Sequence, residues 1–141
     1  MRSILTRLFQ GLAWLVLGGL VLQFYLAGAA MFGVVPLQPH RTLGHLLTVA
    51  VLLLVVLALV ARPGRRLVGL TVLLASLTVV QVLLPSLRTG LPWVAAFHVV
   101  VAVGLTALAA AVARGQPRRP MAHRPETAGR AAAEQAAPLS G

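Results

Sequence analysis

The sequence predicts an all-α protein: a transmembrane four-helix bundle of up-down-up-down topology, followed by a disordered basic tail. Three observations carry this. Of 141 residues, 59% are hydrophobic and only 10% are charged, against roughly 25% charged in an ordinary soluble domain. The apolar residues gather in four runs, each near the ~20 residues that cross a ~30 Å hydrocarbon core. Proline and arginine fall at the ends of those runs or between them, where a helix tolerates proline and where topology is set.

The first run covers about 8–35, after Arg2 and Arg7. It holds a small-x-small segment, Ala27-Gly28-Ala29, that could close a signal peptide. The apolar stretch before that segment is about 19 residues, longer than the usual ~7–15, so a retained span is expected. The second run covers about 42–61, between Pro39-His40-Arg41 and Arg62-Pro63-Gly64-Arg65-Arg66. The third covers about 67–84 and stops at Pro85; the fourth covers about 91–113 and stops at Arg114. Backbone groups in hydrocarbon must be satisfied within the segment, so these runs are helices. They form one transmembrane domain over 1–114. Residues 115–141, rich in Pro, Ala, Arg and Gly, are expected to be a disordered cytoplasmic tail attracted to anionic headgroups.

Twelve basic residues, all arginine, stand against two acids, for a net charge of +10. In a soluble chain this would suggest nucleic acid. Here the arginines flank apolar runs, so the bilayer is the expected partner and nucleic acid is not. Arg2, Arg7, Arg62, Arg65, Arg66 and Arg114 fall on one side, Arg41 and Arg88 on the other. The positive-inside rule puts both termini in the cytoplasm. With no cysteine there is no disulfide, thiolate site or redox thiol.

Four strongly polar side chains, one per span, carry the functional reading: Gln23, His45, Gln81 and His98. Polar groups in hydrocarbon are costly and turn toward the bundle. The topology puts all four in the outer half of the membrane. Imidazole is a common metal ligand, and haem iron accepts axial imidazoles. His45 and His98, on the second and fourth helices, are therefore candidate ligands of a haem b. Their nitrogens would lie about 4 Å apart across an iron, given metal–imidazole bonds of about 2.0 Å. Gln23 and Gln81 would orient the imidazoles. Arg41 and Arg88 are candidate partners of the propionates, since guanidinium binds carboxylates bidentately. A quinone is the other candidate ligand. The competing reading is a structural or interaction subunit of a membrane complex, bound to another membrane protein, whose polar residues only fix helix register. No Asp or Glu lies in the spans, so a carboxylate-based enzyme is disfavoured.

Gln23-Phe24-Tyr25-Leu26-Ala27-Gly28, His40-Arg41-Thr42-Leu43-Gly44-His45, Val80-Gln81-Val82-Leu83 and Ala95-Ala96-Phe97-His98 resemble segments of one family. It is the bacterial four-span membrane family called domain of unknown function 6220. The resemblance covers about 12–114. It implies a four-helix fold in the bacterial inner (plasma) membrane and no established activity. A more distant architectural likeness is to half of the haem A synthase bundle, which also places histidines on its second and fourth spans.

Overall fold

The computed structural model describes residues 2–115. Helix α1 spans Arg2–Met31, α2 Gln38–Ala61 and α3 Arg65–Leu83. A 3₁₀ turn, Leu84–Arg88, and a one-turn helix α4, Pro92–Ala95, lead into α5, Phe97–Arg114. Residues 116–141, most of the expected tail, lie outside the described residues.

Local chemistry sets these bounds. After α1 the Gly33 N–H donates to Ala30 O at 3.2 Å and the Val34 N–H to Ala29 O at 2.8 Å. This is a Schellman closure, and it needs a left-handed residue at Gly33, which has φ +71°. Helix α2 starts earlier than the 42 expected from the sequence. Pro39 sits in its first turn, where no intrahelical donor is required, so proline does not delay the start. Arg62 ends α2 in the left-handed region at φ 49°, a conformation costing roughly 1–2 kcal/mol. Pro63 then prevents continuation. The fourth span is interrupted at Ala96, where the Val99 N–H donates to Ala96 O at 3.2 Å, one 3₁₀ step within the helix.

The four long helices form a square. Helix α1 packs on α2 and α5, and α3 packs on α2 and α5; among the described residues the backbones of the diagonal pairs α1–α3 and α2–α5 stay apart. Each helix contributes one seam with alternating three- and four-residue spacing, the pattern of a left-handed bundle. The buried seams are Phe9-Ala13-Val16 on α1, Leu47-Val51-Leu54-Ala58 on α2, Leu67-Thr71-Leu74-Thr78 on α3 and Leu105-Ala109-Val112 on α5. Thr71 and Thr78 are tolerated there because their hydroxyls donate to Leu67 O and Leu74 O, each at 2.8 Å.

The outer faces are also apolar. Leu46, Leu53 and Leu59 on α2 are each more than half exposed. Large apolar side chains over a whole outer surface need lipid, not water, as solvent. All four spans are long and apolar enough to cross a membrane. Trp93 and Tyr25, both largely exposed, sit near the end of the bundle opposite Arg2 and Gly115, as interfacial aromatics do. That end, carrying the α1–α2 connection and α4, is called distal below.

Candidate functional site

Each seam ends, at the distal end, in a polar residue. Continuing the spacing from Val16 through Leu20 leads to Gln23. Continuing from Thr78 leads to Gln81. Running back from Leu47 through Gly44 leads to His40, and back from Leu105 through Ala102 to His98. All four polar side chains are half-buried. Of the four residues expected to turn inward together, Gln23, Gln81 and His98 share one layer.

The fourth member is His40, not His45. His45 is exposed and is not brought into the layer. The reason is rotational. Five residues at 3.6 per turn carry His45 about 140° round the helix from His40, off the seam and onto the outer face. The early start of α2 is what gives His40 a helical position at all.

The His40 and His98 rings meet edge-on across the α2–α5 diagonal, with centroids 6.4 Å apart and planes at 68°. Each Nδ1 is held by a backbone carbonyl of the preceding helix. His40 Nδ1 lies 3.2 Å from Gln23 O, and His98 Nδ1 lies 3.0 Å from Gln81 O. A carbonyl only accepts, so Nδ1 is the donor in both contacts, and in the neutral ring that leaves the lone pair on Nε2. The Gln81 amide N–H group donates to His98 O at 2.9 Å and faces His98 Nε2 at 3.3 Å. The Gln23 amide nitrogen sits where Gly44 has no side chain; a Cβ there would lie 3.0 Å from it. The side-chain oxygens of Gln23 and Gln81 are buried without a hydrogen-bond partner.

Arg41 and Arg88 are exposed at the distal end, one beside His40 and one closing the 3₁₀ turn. Among the described residues no group of three or more His, Cys, Asp or Glu forms a metal cluster. The two imidazoles that approach one another are those of His40 and His98.

Sequence reasoning passed over two residues. His40 was signalled by its four-residue step to Gly44 and seven-residue step to Leu47. Gln10 was signalled by being the only amide in the other half of α1. Its Nε2 donates to Ala113 O on α5, tying the two helices at the end opposite the quartet.

Residues 23–90 match the model of DUF6220, a family of unknown function. The family resemblance read from the sequence is thereby shown over that segment, which includes Gln23, His40 and Gln81 and stops short of His98. No curated protein and no solved structure matches the chain.

Proposed function

We propose that this chain is a small electron-carrying module of the bacterial inner membrane that holds one b-type haem between His40 and His98. One observation carries the reading. Two imidazoles on diagonal helices both commit Nδ1–H to a backbone carbonyl, the arrangement that orients a metal-ligating histidine and leaves Nε2 to bind. Two imidazoles on one iron, with bonds of about 2.0 Å and rings whose centres lie about 1.1 Å behind the nitrogen, have centroids about 6.2 Å apart. The centroid spacing here, 6.4 Å, is of similar size.

The surroundings fit the group in three respects. The backbones of α1 and α3 stay apart among the described residues, so the diagonal between the rings is not closed by backbone. Ala102, one turn from His98, presents little bulk, while the space beside Gly44 is taken by the Gln23 amide, which would have to move. Arg41 and Arg88 supply guanidinium groups at the distal surface for carboxylates, and no acid occurs before Glu126 to compete for them. A haem bound there would exchange one electron between its ferric and ferrous states. His40 and His98 would hold it, and the Gln81 amide would turn from His98 Nε2 to admit it. A quinone is the other candidate: in its reduced form it would offer hydroxyl donors to the side-chain oxygens of Gln23 and Gln81, which are buried without a partner. The arginine asymmetry supports placing the terminal end of the bundle in the cytoplasm and the site toward the outer face.

A second reading has its own observation: the quartet already closes much of its hydrogen bonding by itself. It would then be register-fixing polar contact in a structural subunit, worth about 0.6 kcal/mol per interhelical bond. An absorption spectrum of detergent-purified protein from haem-replete cells separates the two. A Soret band that shifts on dithionite reduction supports haem. A colourless protein that also fails to take up added hemin overturns it and leaves the structural subunit.

A further inference from the structure

The two half-sites repeat in sequence and in the contact between histidine and glutamine backbone; the side-chain amides differ, that of Gln81 donating to His98 O while that of Gln23 lies against Gly44. Gln23 and His40 are 17 residues apart, as are Gln81 and His98. Both pairs are displaced by the same 58 positions (81 − 23 and 98 − 40). In each, the atoms in contact are histidine Nδ1 and the backbone oxygen of the glutamine. The same displacement relates Arg7 to Arg65, Leu47 to Leu105 and Thr48 to Thr106. Leu47 and Leu105 are both buried. Thr48 and Thr106 both donate to the carbonyl four residues back, each at 2.9 Å. The core pairs Phe9/Leu67, Val16/Leu74 and Leu54/Val112 are buried at both positions. Chance identity is expected between apolar segments; matched polar residues making matched bonds are not.

The packing has the corresponding symmetry. Exchanging α1 with α3 and α2 with α5 turns the observed set of helix neighbours into itself. We infer that residues 7–54 and 65–112 are two copies of one Gln-x16-His helical hairpin. They are related by a pseudo-two-fold axis between His40 and His98, so the two imidazoles are equivalent donors to a single ligand on that axis. The backbone at Gln23 and Gln81 positions the rings, and neither glutamine is itself a ligand. The equivalence stands on the chain's own atoms. The class of ligand, a planar metal-centred group with two like faces, rests on the haem reading.

The test uses the full-length protein in lipid bilayers, with 15N-labelled histidine and no haem. His40 and His98 should both give the signature of protonated Nδ1 and bare Nε2, while exposed His45 shows an ordinary tautomer mixture. A proton on Nε2 of either His40 or His98 makes the half-sites unlike and overturns the inference. Hemin titration is the second arm. His40→Ala and His98→Ala should weaken binding by factors agreeing within about threefold, and a difference above tenfold likewise overturns the equivalence. If both tautomers are as expected but the wild type takes up no hemin, the haem reading falls and the duplication stands.

Discussion

The His40 and His98 rings meet at 6.4 Å although the backbones of the helices that carry them, α2 and α5, are diagonal and stay apart. Side chains alone bridge the middle of the bundle at this level. Each ring is fixed by the adjacent helix, His40 by α1 through Gln23 O and His98 by α3 through Gln81 O. A pair held from outside and facing inward is preorganised to receive something between the rings, or to lock four helices into one register. Both outcomes put the information in His40 and none of it in His45.

The first prediction follows from that assignment. His40→Ala and His98→Ala should each remove the Soret band, because a bis-imidazole site needs both ligands. His45→Ala should leave the band intact, since its ring is on the outer face. Membrane insertion should be unchanged in all three, because it depends on apolar length. Loss of the band in His45→Ala with retention in His40→Ala would reverse the assignment.

The number of helices and their connections were legible in the sequence because proline, glycine and arginine interrupt otherwise unbroken apolar runs. Gln23, Gln81 and His98 were legible because an amide or imidazole in hydrocarbon has only one direction to face. His40 was hidden by its neighbours. Pro36 and Pro39 read as loop, yet Pro39 lies in the first turn of α2, where its missing N–H costs nothing. The seam itself was hidden by the solvent. In water a buried face stands out against a polar one; here Leu53 faces out and Leu54 faces in, and hydropathy cannot tell them apart. Residue size does not separate the faces either: Ala58, Thr71, Thr78 and Ala109 face in, but Gly18, Gly69, Ser76 and Gly104 face out.

That contrast gives a stability prediction. Leu54 is fully buried among the four helices. Leu54→Ala should cost about 2 kcal/mol or more, because the side chains around the vacated space keep no atoms to pack against on that side. Leu53→Ala should be nearly neutral, because lipid chains fill the place of the removed methyls and there is no hydrophobic gain between helices to lose. Reversible unfolding in bicelles measures both, and equal costs would place Leu53 in a protein interface.

Gln10 is expected to matter more than an isolated amide suggests. Ala113 is next to last in α5, so its carbonyl is among those a helix end leaves unpaired. The Gln10 amide donates to it, and Ala113 is itself fully buried. Gln10→Leu keeps the bulk and removes the donor, leaving a buried acceptor unmet at a cost of about 1–3 kcal/mol. The same unfolding assay reads it, with Gln10→Glu as a more damaging variant because it places a carboxylate against a carbonyl.

The proposed orientation can be read with thiols, since the chain has no cysteine. Thr89 is exposed at the distal end and Arg66 at the other. In intact cells a membrane-impermeant maleimide applied outside the inner membrane should label Thr89→Cys and spare Arg66→Cys until the membrane is permeabilised. The opposite pattern would turn the quartet toward the cytoplasm.

Gly44 tests whether the quartet is a coupled unit. An added Cβ would stand 3.0 Å from the Gln23 amide nitrogen, so the Gln23 side chain must shift to admit it. Gly44→Ala also gains about 1 kcal/mol of helix propensity, which offsets much of that strain, and its net effect on stability should be small. The two contributions separate in a cycle with Gln23→Ala. Removing the amide removes the obstruction, so Gly44→Ala should be more favourable in the Gln23→Ala background than in the wild type, by about 0.5 kcal/mol or more. A larger side chain gives the complement. Gly44→Leu drives three further carbons between α1 and α2 and should cost about 1–3 kcal/mol, with Gln23→Ala recovering part of the loss. Strict additivity in both cycles would mean that Gln23 and Gly44 do not share space in the membrane. The seam running back from Leu47 through Gly44 to His40 would then lack the close approach that sets its distance from α1.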